Sequence, residues 1–260
     1  MKRFTTVNRG DSESQRICLH IKNELSHAGF TYDAANPELV VCVGGDGTLL
    51  KAFHEYLNLV DNVAFVGIHT GTLGFSTDYT QDQVDSFIHD VIHNTPTIDE
   101  KRILEVMCTN THKTQHFMAL NEVRVENIVK TQAMDIFIND QHFETFRGNG
   151  VCISGQYGST AYNRSIGGAV IYPGLDLLQM TEISGIHHRH ARSLGSPLVM
   201  NPEAKITLKH ESFDHALLCY DHLHIHLDNI HTITIKNSDQ TMKFARFKSI
   251  PHIQRLNALF

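Results

Sequence analysis

The sequence runs to 260 residues, enough for one large domain or two modest ones. Its composition, 41% hydrophobic and 19% charged, is that of a globular chain, and a formal net charge of −6 weighs against holding nucleic acid through phosphate contacts. No apolar run approaches the ~20 residues of a membrane span. The opening MKRFTTVNRGDSES lacks the apolar core of a signal peptide. The cysteines Cys18, Cys42, Cys108, Cys152 and Cys219 are widely spaced and form no CxxC pair, so they read as reduced thiols of a cytoplasmic protein.

Residues 3–8 read as a first, edge strand. Residues 12–29 read as a helix, with Ile17, Ile21, Leu25 and Ala28 on one face and Gly29 near its end. Residues 39–43 are β-branched and too few for a helix, so they read as a buried strand. The strand breaks into Gly44-Gly45-Asp46-Gly47-Thr48, and Leu49, Leu50, Phe53, Leu57 and Val60 then follow at helical spacing. Thr48 is the expected N-cap. A strand end that turns through glycines into a helix N-terminus suits an anionic phosphate. Asp46 in its middle fits one of two roles, holding a metal that bridges phosphates or taking a proton from an attacking hydroxyl. The spacing is neither a Walker A loop nor G-x-G-x-x-G.

Residues 63–68 read as another buried strand, leading into a second glycine loop, His69-Thr70-Gly71-Thr72-Leu73-Gly74-Phe75. Residues 81–94 carry Val84, Phe87, Ile88 and Val91 at helical spacing. Strand, helix, strand with glycine loops at strand ends is the βαβ pattern of a parallel sheet. Near Pro96 the texture changes to short alternating strands at 103–109, 116–121, 133–138 and 142–146, with Asn139-Asp140 as a hairpin turn. Further strands are expected at 205–208, 217–220, 223–227 and 232–236, and a helix at 175–183. The fold expected is an α/β N-terminal domain with a Rossmann-like parallel sheet over 1–98, onto which 242–260 packs back, and a mostly β domain over 99–241. Three histidines, His222, His224 and His226, alternate on one strand, and His187-His188-Arg189-His190 forms a second cluster. Neither shows a fourth ligand at metal-site spacing, and both read as polar strand and loop residues. Asn121-Glu122, an amide beside a carboxylate at a strand end, suits a polar ligand or an ordinary turn. The run from Gly155 to Ser165, rich in Gly, Ser, Thr and Tyr, reads as a binding loop.

Together these stretches resemble the NAD kinase family. The resemblance rests on Gly44-Gly45-Asp46-Gly47-Thr48, on Asn121-Glu122, and on Gly158-Ser159-Thr160-Ala161-Tyr162 with Gly167-Gly168, in the family's order and spacing over nearly the whole chain. The second glycine loop and Phe244-Ala245-Arg246-Phe247 match as well. The first motif is shared with phosphofructokinases and with diacylglycerol and sphingosine kinases. The other two separate NAD kinases from them. The resemblance implies a two-domain fold that binds NAD between its domains and transfers the γ-phosphoryl group of ATP, with Mg²⁺ or another divalent cation, to the adenosine-ribose 2′-hydroxyl of NAD. It implies Asp46 as the general base. Gly44, Gly45, Gly47 and Thr48 would hold the ATP phosphates. Asp46, Gly47, Phe75, Asn121, Glu122, Arg147, Asn149, Thr160, Ala161, Tyr162, Asn163, Ser165, Ser184 and His222 would approach NAD. It further implies a homotetramer built from dimers. The family commonly has Asp where Asn149 stands and Thr-Pro where Gly155-Gln156 stand, and Tyr157 replaces a small residue. Two other readings stand beside it: a related lipid or sugar kinase that shares Gly44-Gly45-Asp46-Gly47, and a dinucleotide-binding regulatory protein without catalysis.

Overall fold

The computed structural model of the chain describes residues 1–71, 74–187, 192–257 and 259. Strand β1 (Arg3–Asn8) is followed by helix α1 (Ser12–His27), strands β2 (Thr31–Tyr32) and β3 (Leu39–Val43), helix α2 (Asp46–Glu55), strands β4 (Ala64–His69) and β5 (Tyr79–Thr80), helix α3 (Val84–His93) and strand β6 (Thr97–Thr109). Then come strands β7 (Thr114–Ala119), β8 (Glu122–Glu126), β9 (Gln132–Ile138), β10 (Gln141–Gly148) and β11 (Gly150–Gly155), and the short helix α4 (Tyr162–Ser165). The chain ends with β12 (Leu178–Ile183), β13 (Leu198–Met200), β14 (Ile206–Lys209), β15 (Leu217–Tyr220), β16 (Leu223–His226), β17 (Thr232–Arg246) and helix α5 (His252–Asn257). It divides into two compact units, Met1–Lys101 with Thr241–Phe260, and Arg102–Gln240.

The first unit is a parallel sheet. β4 pairs with β3, β3 with β1, and β1 with β2, while the last part of β17 pairs with β4 through Lys243 and Phe244. Residues 3–8 are therefore interior rather than at an edge. Phe4, Thr5 and Val7 are buried accordingly, and the two-residue β2 is the edge. All five residues of β3 are buried, as a strand covered on both faces requires. Leu39, Val41 and Val43 join one core cluster with Ile17, Ile21 and Leu25 of α1 and Phe87 and Val91 of α3. Helix α2 packs against β1, β3 and β4 through its buried residues Leu49, Ala52 and Phe53. Asp11 caps α1, its carboxylate accepting the Ser14 N–H at 2.9 Å. Ala28, expected on the apolar face, is exposed because α1 stops at His27 and Gly29 turns away with φ +84°.

The second unit is antiparallel. β10, β9, β14 and the first part of β17 pair in that order, and β13, β12, β11, β8, β15 and β16 form another sheet. One cluster joins the inner faces of both, among them Val123, Val125, Ile136, Phe146, Ile153, Leu178, Ile206, Leu218 and Ile233. Asn139 and Asp140 turn the β9–β10 hairpin with positive φ at both positions. The helix expected at 175–183 is strand β12 instead. It lies between β11 and β13 with almost every side chain buried, so tertiary burial on both faces overrides its helical propensity. Strand β11, in a stretch expected to be loop, pairs on both sides, and β8 has no counterpart among the expected strands. The five cysteines are free and buried.

Candidate active site

Asp46 belongs to the first unit. β3 ends at Val43, and the Gly44 N–H is held by the Ile68 carbonyl at 2.9 Å. A Cβ at Gly44 would lie 2.1 Å from Thr48 Oγ1, so only glycine lets the turn close this tightly. Helix α2 consequently starts early. Gly45 is its N-cap and Asp46 its first residue, while Thr48, the expected cap, sits buried inside the first turn with its N–H donated to the Gly45 carbonyl at 2.9 Å. The Asp46 carboxylate lies at the positive end of the helix dipole. It accepts the Ser76 N–H on Oδ1 at 3.0 Å and the Phe75 N–H on Oδ2 at 3.3 Å. The second glycine loop thus aims the carboxylate. Gly74 must be small for it to do so, since its Cβ would stand 3.0 Å from Asp46 Oδ1. Thr72 and Leu73 of this loop lie outside the described residues.

Asn121 and Glu122 belong to the second unit, at the corner between β7 and β8. Glu122 opens β8 rather than ending a strand. Asp221 holds this corner. Its carboxylate accepts the Leu120 N–H at 2.9 and 3.1 Å and the Asn121 N–H at 2.7 Å, from about a hundred residues further along the chain. From the other side Gly158 presses on the Asn121 carbonyl, where a Cβ would stand only 1.7 Å away. Glu122 is buried, and its Oε2 has no hydrogen-bond partner within the protein. Burial, and then the neighbouring Asp221 carboxylate, push its pKa up to about 7.

The loop from Gln156 to Ser165 is fixed from beneath. Ser159 Oγ donates to the Gln156 carbonyl at 2.7 Å and accepts the Ile171 N–H at 3.0 Å. Asn163 is wholly buried, donates to the Ser159 and Ala169 carbonyls, and accepts from Thr181 Oγ1 at 2.8 Å. Its amide is occupied as scaffold. Thr160, Ala161 and Tyr162 stay partly open, Ser165 is exposed, and the Arg124 guanidinium lies 4.1 Å from the Tyr162 ring centre. Tyr157 is buried.

A carboxylate at a glycine-bounded helix N-terminus has the chemistry to take a proton from a hydroxyl beside an anionic phosphate. The ATP-NAD kinase N-terminal domain matches residues 5–95, and the ATP-NAD kinase C-terminal domain matches residues 120–247. This chain belongs to the NAD kinase family. NAD kinase 1 of Oceanobacillus iheyensis is 38% identical over 260 residues, 99% of this chain and 97% of its own. An NAD kinase of Lactobacillus gasseri is 39% identical over 229 residues, 88% of this chain and 86% of its own. Among solved structures, yeast NADH kinase complexed with NADH matches with a TM-score of 0.84 at 17% identity, covering 99% of this chain and 86% of that one. An NAD kinase from Archaeoglobus fulgidus in complex with ATP matches with a TM-score of 0.78 at 22% identity, covering 99% and 98%. At those identities the likeness is one of fold.

Other positions expected from the NAD kinase resemblance gather in the second unit. Asn149 donates its side-chain N–H to the Asn127 carbonyl at 3.1 Å, and its backbone N–H to the Ile183 carbonyl, one residue before Ser184. Arg147 is exposed, and its carbonyl takes the Ile186 N–H at 2.8 Å. Ser184 is exposed, with φ +48°. His222 is exposed beside Asp221, and His224 and His226 lie on the exposed side of β16. His188, Arg189 and His190 lie outside the described residues. Asp221 escaped the sequence reading, because nothing local ties a hairpin-turn aspartate to a corner a hundred residues earlier.

Proposed function

We propose that this chain transfers the γ-phosphoryl group of ATP to the adenosine-ribose 2′-hydroxyl of NAD, giving NADP and ADP. The observation that carries this reading is the Asp46 carboxylate, fixed by two backbone N–H groups at the start of α2. In the step, an Asp46 oxygen takes the proton of the 2′-hydroxyl. The hydroxyl oxygen forms its bond to the γ-phosphorus as the bond from phosphorus to the ADP oxygen breaks. Gly45 and Gly47 offer backbone N–H groups to the phosphates at a helix end that favours negative charge, while Gly44 and Thr48, whose N–H groups bond the Ile68 and Gly45 carbonyls, hold the turn in shape.

Asn121 and Glu122 recognise ribose hydroxyls, the amide as donor and acceptor and the carboxylate as acceptor. Thr160, Ala161, Tyr162 and Ser165 line the adenine and ribose, with Asn163 as their support. Phe75, Arg147, Asn149, Ser184 and His222 complete the contacts to NAD. The divalent cation enters as part of the MgATP substrate, where it neutralises phosphate charge. The described residues hold no group of three or more His, Cys, Asp or Glu arranged for a metal.

We read the protein as cytoplasmic, on its buried free thiols, and as a homotetramer. Exposed Tyr172, Leu175, Ile186, Leu194 and Val199, before and after β12 in the chain, are apolar surface that subunit contacts would cover. No helix among the described residues is long and apolar enough to cross a membrane. The test is NADP formation by the purified protein with NAD, ATP and Mg²⁺, with Asp46→Asn measured beside it. Wild-type turnover with none from the folded variant is expected. NAD binding without NADP formation by the wild type would sink the reading.

A further inference from the structure

The peptide unit joining Phe75 to Ser76 stands between two charged side chains. Its N–H, on Ser76, donates to Asp46 Oδ1 at 3.0 Å. Its carbonyl, on Phe75, accepts from Arg255 Nη1 at 3.0 Å. Arg255 Nη1 also donates to the Thr77 carbonyl at 2.9 Å, and its Nη2 pairs with Asp78 Oδ1. Arg246 Nη1 donates to the Ser76 carbonyl at 3.2 Å and to Asp78 Oδ1 at 2.9 Å. The carbonyls of 75, 76 and 77 therefore all face guanidinium groups, while the N–H groups of 75 and 76 face Asp46.

This arrangement is not a surface ion pair. Arg255 is 7% exposed and Asp78 2%. A buried, forked guanidinium fixes several acceptors at once, which a lysine cannot match. A cation on a peptide carbonyl also polarises the unit and strengthens its N–H as a donor. Arg255 comes from α5, nearly 180 residues after the loop that it holds.

We propose that Arg255, in the last helix, is a positioning residue for Asp46, acting through the Phe75–Ser76 peptide. This rests on the reading of Asp46 as the base. Arg255 orients the loop whose N–H groups aim the carboxylate, and it polarises the peptide that carries one of them, the Ser76 N–H.

The test uses the full chain with Arg255→Ala, Arg255→Lys and Asp46→Asn, assayed with NAD and MgATP. Folding is checked by circular dichroism. For Arg255→Ala, kcat falls roughly 10- to 100-fold while KM for MgATP stays within about twofold, since a slightly misplaced group costs rate rather than binding. Guanidinium added to the buffer restores part of the turnover of Arg255→Ala and none of that of Asp46→Asn.

Unchanged kcat in folded Arg255→Ala overturns the proposal. So does a kcat loss with no guanidinium rescue, which marks a merely structural role. If the alanine variant does not fold, Arg255→Lys decides by the same kcat and KM readings, as it keeps the charge and loses the fork. A fully active Asp46→Asn sinks the reading of Asp46. An inactive Asp46→Asn beside an undisturbed Arg255→Ala sinks only the positioning role.

Discussion

Two carboxylates carry opposite burdens. Asp46 is partly open and well supplied with donors. Glu122 is buried with one oxygen unpartnered. Asp46→Asn keeps an acceptor for one of the two loop N–H groups and sets an NH₂ against the other. The loss of one such bond is about 1 kcal/mol, or a fall in Tm of roughly 2–4 °C in a chain of this size. NADP formation, by contrast, is expected to fall at least ~10²-fold, since amide cannot take the hydroxyl proton. Circular dichroism melting beside a turnover assay separates the two effects. Glu122 titrates at about 7 in the folded protein, against an ordinary value of 4.5. The folded state then binds more protons than the unfolded state between those two values. Stability from this group is fully present below 4.5 and is lost as the pH rises through 7. Glu122→Gln removes the buried charge and leaves an acceptor. It is expected to raise Tm relative to wild type at pH 8 by the equivalent of a few kcal/mol, each tenfold change in proton affinity being worth about 1.4 kcal/mol, and hardly at all at pH 4. A Tm difference that stays constant from pH 4 to pH 8 refutes the burial penalty. The same variant should raise KM for NAD, because Gln cannot offer a charged acceptor to ribose hydroxyls.

The corner between β7 and β8 shows how neighbouring elements hold a polar pair in place. Asp221, in the β15–β16 turn, anchors the Leu120 and Asn121 N–H groups, and the turn after β11 presses Gly158 onto the Asn121 carbonyl. Neither side can give. Gly158→Ala is therefore expected to raise KM for NAD and to cost about 1–3 kcal/mol of stability, the usual penalty of overpacking. Denaturant unfolding and steady-state kinetics check both, and wild-type values in both would remove Gly158 from the corner's support. The same region shows where sequence reading stops. The motif Asn121-Glu122 and the loop of small residues are visible as patterns, but β11 hides behind Gly148, Gly150 and Gly155. Those glycines read as loop, yet Gly150 is required inside the sheet, since its Cβ would fall 2.1 Å from the Val125 carbonyl of β8. β12 hides likewise, because a strand buried on both faces shows no alternation. By contrast β3 and α2 were legible, their short β-branched run and apolar spacing each pointing to one element.

The first unit is assembled from both ends of the chain. The sequence reading expects 242–260 to pack back on this unit, and that segment carries the apolar residues Phe247, Ile250, Ile253 and Leu256. Apolar spacing is not what mainly secures it. Ile253 is exposed, and Phe247 is only partly buried against the core. The firm attachments are the pairing of Lys243 and Phe244 with Ala64 and Phe65, and the two arginines that surround Asp78. A buried carboxylate stripped of its cations is costly, ~3–5 kcal/mol when one partner of a buried pair is removed. A chain ending at Lys248 keeps the strand and Arg246 but loses Arg255. It is expected to fold with a Tm lower by roughly 6–20 °C, at ~2–4 °C for each kcal/mol. A chain ending at Gln240 loses both arginines and bares the edge of β4. With Asp78 left uncompensated in a parallel sheet short of one strand, it is expected not to fold at all. Circular dichroism and limited proteolysis of the two truncations test the order. A Gln240-terminated chain that melts cooperatively near the wild-type temperature would show that the unit is complete without its returning strand.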